Sequence, residues 1–236
     1  AGLKTCGIRG FNLTMPNKNK IVELLDELSP EAQLIGAVNT VLNDNGKLIG
    51  YNTDGYGFMQ SVRDAGHDIT GKNITVMGVG GASMAICAQS ALDGAASVHI
   101  FARRTSRYWN RTQKFAENLS AKTGCQVCLF DNDDHTALRD SIAQSYLLIN
   151  ATSVGMVPDI DDTIIKDPSL FHPELVVADV VYEPQETRLL REAKAAGCQT
   201  FNGMYMLLHQ GAKAFQIWTG QEMPVSVIKE KYFSVK

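Results

Sequence analysis

Apolar positions in the middle of the chain fall into short solid runs, separated by longer stretches in which they recur every three or four residues. The runs lie at 74–78, 97–101, 125–130, 146–150 and 175–181, and Gln199-Thr200-Phe201 reads as a further short strand. The helical spacing lies between them, at 84–92, 108–121, 137–143 and 186–196. Solid runs suit strands buried on both faces, and the longer period suits helices with one buried face. Strands alternating with helices imply parallel strands joined by right-handed crossovers. The expected class is therefore α/β, with a doubly wound parallel sheet over 70–207. Residues 1–69 read differently. They hold one helical pattern, at 18–28, and two strand-like runs at 37–42 and 47–51 that flank Asp44-Asn45-Gly46, a tight-turn signal. From Met204 onward the pattern is helical. A smaller α/β domain over 1–69, completed by 208–236, is expected beside the larger one.

Composition narrows the function classes. Of 236 residues, 44% are hydrophobic and 20% charged, an ordinary globular balance, and the net charge is −3 with scattered Lys and Arg, which points away from nucleic acid. No apolar run reaches the roughly 18 residues that span a membrane, so no membrane partner is expected. The five cysteines are odd in number and unevenly spaced, and Cys125-x-x-Cys128 has no second pair to complete a metal set. They read as structural thiols in a reducing, cytoplasmic setting. Asp131, Asp133 and Asp134 before His135 read as a solvated acidic loop, and His67, His99, His135 and His172 stand isolated. His209 is expected to pack in the interior. The partner implied is a small molecule, and the chain is expected to be a monomer or homodimer.

Gly78-Val79-Gly80-Gly81-Ala82-Ser83 lies between a predicted strand and a predicted helix. There a first glycine makes the tight turn, and a second lets backbone amides approach a pyrophosphate at the helix N-terminus. Ser83 replaces the usual third glycine, small enough for close packing and able to donate a hydrogen bond. After the second strand, a domain that prefers NAD carries a carboxylate for the ribose hydroxyls. This chain has Ala102-Arg103-Arg104-Thr105-Ser106-Arg107 there, and guanidinium forks match a 2′-phosphate. The expected cofactor is NADP, with NAD as the second choice. The competing reading has Arg104 stacking on adenine and serving both.

The first segment supplies acid–base candidates. Asn12-Leu13-Thr14-Met15-Pro16-Asn17-Lys18 places Lys18 just beyond a proline-fixed turn, where it would open a helix. Gly36-Ala37-Val38-Asn39-Thr40 and Gly50-Tyr51-Asn52-Thr53-Asp54-Gly55 follow. A lysine, an asparagine and an aspartate on short turns offer a proton-handling group, a polar anchor and an orienting carboxylate. Oxidation of an alcohol needs such a group within about 3 Å of the hydroxyl oxygen.

These motifs together resemble the shikimate dehydrogenase family, and within it the quinate/shikimate dehydrogenase branch. The family shows N-[VL]-T-x-P-x-K, matched at 12–18; G-A-x-N-T, at 36–40; G-x-N-T-D-G, at 50–55; G-x-G-G-A-[ST], at 78–83; N-[AG]-T-x-x-G, at 150–155; and a late G-x-x-M-L-x-x-Q whose counterpart here is 203–210. The resemblance implies hydride transfer between NAD(P) and a ring hydroxyl of shikimate or quinate. It implies Lys18 and Asp54 as the catalytic pair, and Thr14, Asn39, Tyr182 and Gln210 as substrate contacts. Gly78, Gly80, Gly81 and Ala82 would form the pyrophosphate turn. Arg103, Arg104 and Thr105 would meet the adenosine ribose, and Thr152, Ser153 and Gly203 would line the nicotinamide side. Two departures stand out. The family's usual opening strand and S-x-S motif, which hold the substrate carboxylate, do not precede Asn12, so the chain reads as lacking a front segment. Ala102 stands where the family has Asn. A dehydrogenase-like module that senses a metabolite without turnover is the rival reading, and a folate-type dehydrogenase of two domains is a third.

Overall fold

The computed structural model describes residues 2–233. The chain divides into two compact units, Ala1–Ser61 with Tyr205–Lys236, and Val62–Met204.

The first unit opens with α1 (Gly2–Thr5) and β1 (Gly10–Asn12). A 3₁₀ turn (Lys20–Leu24), β2 (Glu27–Leu28), α2 (Pro30–Ile35), β3 (Thr40–Asp44), β4 (Lys47–Tyr51) and α3 (Asp54–Asp64) follow. Its sheet runs β1-β3-β4-β2, with β2 parallel to β4 and the other pairs antiparallel. The predicted hairpin is the β3–β4 pair. Asn45 and Gly46 both take positive φ, 50° and 92°, as a two-residue turn matched to strand twist requires.

The helix expected over 18–28 is not formed, and Lys18 does not open one. Leu25 is extended at φ −104° and ψ 145°, and the chain pairs with the sheet instead. Asp26 N donates to Leu48 O at 2.9 Å, Leu48 N donates to Asp26 Oδ2 at 2.7 Å, and Ser29 N donates to Gly50 O at 2.8 Å. Ile21, Val22, Leu25 and Leu28 still reach the core of Ala32, Val38 and Val41, so their apolar spacing is satisfied without a long helix.

The second unit contains β5 (Asn73–Met77), α4 (Gly81–Leu92), β6 (Ser97–Ala102), α5 (Trp109–Thr123), β7 (Gln126–Asp131), α6 (His135–Gln144), β8 (Leu147–Asn150), β9 (Val176–Asp179), α7 (Arg188–Ala195) and β10 (Gln199–Phe201). All six strands are parallel, in the order β10-β9-β8-β5-β6-β7. This is the doubly wound sheet expected from the alternating pattern. Strand order reverses between β5 and β8, and such a switch opens a crevice beyond the carboxyl ends of the strands. Met77, Phe101, Leu148, Val177 and Leu189 pack into one buried cluster.

The chain then enters α8 (Met204–Thr219) and α9 (Val225–Ile228), followed by a π-helical turn (Lys229–Phe233). In the first unit α8 is tied to the sheet: Trp218 Nε1 donates to Val41 O at 3.0 Å, and Arg9 Nε donates to Trp218 O at 3.1 Å. The indole occupies the space where any side chain at Gly10 would stand. No helix among the described residues is long and apolar enough to cross a membrane.

Candidate active site

The first unit gathers three of the predicted residues, Lys18, Asn39 and Gln210, around the carboxylate of a fourth, Asp54. The loop after β1 passes through a cis Met15–Pro16 bond to Lys18, whose carbonyl accepts from Val38 N at 2.8 Å. Asp54 is the first residue of α3, where a carboxylate sits well against the helix dipole. Lys18 Nζ lies 2.6 Å from Asp54 Oδ2, with the two side chains 16% and 9% exposed. The other carboxylate oxygen, Oδ1, accepts from Asn39 Nδ2 at 2.8 Å. Asn39 Nδ2 also lies 3.0 Å from Thr53 Oγ1 and 3.4 Å from Gln210 Oε1. Asn39 Oδ1 accepts from Thr53 N and Thr40 Oγ1, each at 2.9 Å.

Gln210 reaches this cluster because α8 crosses α3 at Gly57. A Cβ there would stand 2.7 Å from both Gln210 N and Met206 O, so only glycine lets the two backbones approach so closely. Thr14, the remaining predicted contact on this unit, is exposed, and among the described residues its hydroxyl makes no hydrogen bond. The cluster also contains residues not singled out in the sequence. Asn12 Nδ2 donates to Asn39 O and Thr40 Oγ1, and Asn52 joins Ala37 O to Asp54 N through its side chain. Both lie inside the recognised motifs; the signal was there, but it looked like turn chemistry.

In the second unit Gly78 has φ +109°, and a Cβ on it would meet Thr152 Cγ2 at 2.8 Å. No side chain caps α4, and a Cβ on Gly80 or Gly81 would meet only open space. Ser83 is fully buried and donates to Gly78 O at 2.5 Å, closing the turn as expected. The result is an uncapped first turn facing open space after the first strand of the sheet, which fits a dinucleotide pyrophosphate. Arg103 and Thr105 are exposed, and among the described residues their side chains make no hydrogen bond or ion pair. Arg104 instead lies over the Trp109 ring, 4.6 Å from its centroid.

The loops beyond β8 and β9 are tied together by a buried carboxylate. Asp179 accepts from Asn150 Nδ2 (3.0 Å), Val181 N (2.9 Å) and Thr187 Oγ1 (2.7 Å), and burial pushes its acidity to a higher pKa than usual. Asn150 Oδ1 in turn accepts from Thr152 Oγ1 at 2.6 Å, so the Thr152 hydroxyl is committed to the loop itself. Ser153 is exposed, and Tyr182 is 42% exposed. Gly203 presses against the Val180 backbone carbonyl, where a side chain would collide. The acidic stretch has specific work: Asp134 caps α6 through Ala137 N at 2.9 Å, and Asp131 Oδ1 accepts from Asp133 N at 3.2 Å. His209 is buried, as expected, and all five cysteines are free thiols.

Comparison with known proteins gives a consistent result. The family model for the shikimate dehydrogenase substrate binding domain matches residues 1–41, and that for the shikimate 5′-dehydrogenase C-terminal domain matches residues 203–231. The chain is 51% identical over 232 residues to a shikimate dehydrogenase (NADP(+)) of Listeria innocua, an alignment covering 98% of this chain and 79% of that protein. It is 42% identical over 229 residues to a quinate/shikimate dehydrogenase of Escherichia coli O139:H28, covering 97% and 79%. The crystal structure of shikimate 5-dehydrogenase from Listeria monocytogenes in complex with shikimate and NAD aligns with a TM-score of 0.94 at 51% identity, covering 97% of this chain and 79% of that one.

Proposed function

This chain belongs to the shikimate dehydrogenase family, and from that premise we propose that it transfers hydride reversibly between NADP and the ring hydroxyl of shikimate, giving 3-dehydroshikimate. Quinate is a second substrate of the same chemical class, and NAD is a second cofactor. We assign residues 1–69, completed by 208–236, as the substrate domain and 70–207 as the dinucleotide-binding domain. Five free thiols suit a reducing compartment such as the cytoplasm.

The observation that carries the reading is the shielded Lys18–Asp54 pair, with Asn39 on the second carboxylate oxygen. When bound, the nicotinamide supplies the hydride acceptor. The chain's own groups handle the proton and the orientation. In the oxidation direction Lys18 Nζ, held at Asp54 Oδ2, accepts the hydroxyl proton as the neutral amine and becomes the ammonium; in the reduction direction that ammonium donates the proton back. Asp54 fixes the ammonium in place, and Asn39 fixes Asp54. Thr14, Gln210 and Tyr182 are assigned to the remaining substrate hydroxyls. The turn at Gly78, Gly80, Gly81 and Ala82 would hold the pyrophosphate, Arg103, Arg104 and Thr105 the adenosine end, and Thr152, Ser153 and Gly203 the nicotinamide side. A carboxylate after β6 would repel a 2′-phosphate; this loop carries arginines there, so NADP is the preferred cofactor.

The test is nicotinamide absorbance with shikimate or quinate, each with NADP or NAD. Turnover of shikimate with higher kcat/KM for NADP is expected. Binding of shikimate without any turnover would instead favour a metabolite sensor.

A further inference from the structure

The loop after β6 holds three arginines, and each is held differently. Arg107 lies over the Tyr108 ring, 4.8 Å from its centroid, and donates to Tyr108 Oη at 2.7 Å. Arg103 is exposed, with no hydrogen bond or ion pair among the described residues. Arg104 is exposed too, but its guanidinium lies 4.6 Å from the centroid of the Trp109 ring. Trp109 is the first residue of α5 and only 7% exposed, so the protein interior sets its position.

The Arg104 backbone is held as well. Its amide donates to Asp131 Oδ1 at 3.3 Å, and Asn132 N donates to Ala102 O at 2.9 Å, which joins this loop to the end of β7. A guanidinium held over a buried ring, on an exposed loop with its backbone tethered, is placed to offer its outer side to another flat group. Guanidinium planes stack on aromatic faces, and the stack already made removes much of the side-chain freedom that binding would otherwise have to freeze.

We propose that Trp109 is a positioning residue for the cofactor: it presents Arg104 as a flat platform for the adenine ring, which NADP and NAD share, and leaves Arg103 as the arginine that meets the 2′-phosphate. This rests on the reading of the loop as the adenosine end of the cofactor site. It divides the arginines by role. Arg104 sets affinity for both cofactors, and Arg103 sets the preference between them.

The experiment is calorimetric titration of the full chain with NADP and with NAD, without turnover, together with kcat and KM for each. Arg104→Ala and Trp109→Ala should each weaken both cofactors by a similar factor, about three- to tenfold, the range for a partly exposed cation–π contact. The double variant should be no weaker than either single one, because both remove the same platform. Trp109→Phe keeps a ring face and should recover most of the affinity. Arg103→Ala should weaken NADP and leave NAD unchanged. Arg104→Ala and Trp109→Ala should raise the KM of both cofactors by more than they lower kcat, and Arg103→Ala should raise the KM of NADP alone. Additive effects of Arg104→Ala and Trp109→Ala, or a Trp109→Phe variant no better than Trp109→Ala, would overturn the platform alone. If Trp109→Ala does not fold, Arg104→Ala decides: unchanged affinity for both cofactors, or loss confined to NADP, overturns the proposal. If neither Arg103→Ala nor Arg104→Ala alters either affinity, the loop is not the adenosine site, and the proposal falls with that reading.

Discussion

Lys18 and Asp54 are 36 residues apart in sequence and 2.6 Å apart in space. A lysine on the first segment would ordinarily lie in water. Here its side chain is 16% exposed and its amine is aimed at a carboxylate whose other oxygen is already occupied by Asn39. Removing the amine should remove its chemistry, and because it leaves the shielded Asp54 carboxylate without its counter-ion, stability should fall as well. Lys18→Ala is expected to lower kcat by about 10²-fold or more, within the usual range for a general acid–base group, with NADP affinity unchanged by calorimetry. A variant that keeps near-normal kcat would remove Lys18 from the mechanism. Asp54→Asn should also lower kcat, because an amide donor turned toward Lys18 repels the ammonium and one turned toward Asn39 meets a second donor. A pH–rate profile for Asp54→Asn that matched the parent in height and inflections would exclude any role. Asn39, which the family resemblance places against a substrate hydroxyl, has its whole side-chain amide engaged with Asp54, Thr53, Thr40 and Gln210. Its contribution to the site includes holding the carboxylate still.

The elements differ in how well the sequence announced them. The inner strands of the second unit, β5, β6, β8 and β9, are almost wholly buried and appear as apolar runs, whereas β7 and β10 lie at the sheet edges and are only partly buried; all six are legible in the alternating pattern. The first unit hid its elements for identifiable reasons. Its apolar residues at 21, 22, 25 and 28 have helical spacing but end in an edge strand, because backbone pairing with β4 outweighed local preference. The helix α2 carried a plain start signal, Ser29 as cap to Ala32 N with Pro30 next, in a stretch too short to show periodicity. The helix α3 contains Gly55 and Gly57, each costing about 1 kcal/mol of helix propensity, so it exists through packing. Gly57→Ala tests that packing. The new methyl would stand 2.7 Å from α8 backbone atoms that cannot move aside locally, so the melting temperature should fall, and Gln210 should shift with its helix and raise the shikimate KM. An unchanged melting temperature would mean that the two helices are free to separate at no cost. Asp179→Ala plays the same part in the second unit. It strands donors from Asn150, Val181 and Thr187 in the interior, each worth about 1–3 kcal/mol when left unpaired, so thermal stability should fall and the cofactor KM should rise as both loops lose their common anchor. Stability lost with cofactor KM unchanged would make Asp179 a purely structural residue.

At the scale of the molecule, acid should act first on the larger unit. His67 and His99 both lie within Val62–Met204, and burial lowers the pKa of each below the usual histidine value. His67 Nδ1 is 2.9 Å from Tyr146 Oη, with Lys72 over the same tyrosine ring, and His99 Nδ1 is 2.9 Å from Ser141 Oγ. No carboxylate faces either ring in these contacts to favour the charged form. Because the folded-state values are depressed, the unfolded chain takes up protons first as pH falls below about 6.5, the ordinary histidine value. Protonation then draws the equilibrium toward unfolding, so stability is full above that pH and is lost between it and the lower folded-state values. Asp179 works with the opposite sign: burial raises its value, so the folded state binds the proton first and stability recovers as pH falls from that value toward the ordinary carboxyl range. Urea unfolding should therefore give a lower midpoint at pH 5.5 than at pH 7.5, roughly one pH unit to either side of the histidine value. In a His67→Gln, His99→Gln double variant that difference should shrink, whatever the substitutions cost at pH 7.5, because glutamine does not titrate. Equal midpoints for the parent at the two pH values, or an undiminished difference in the double variant, would show that the two buried imidazoles do not set the acid limit.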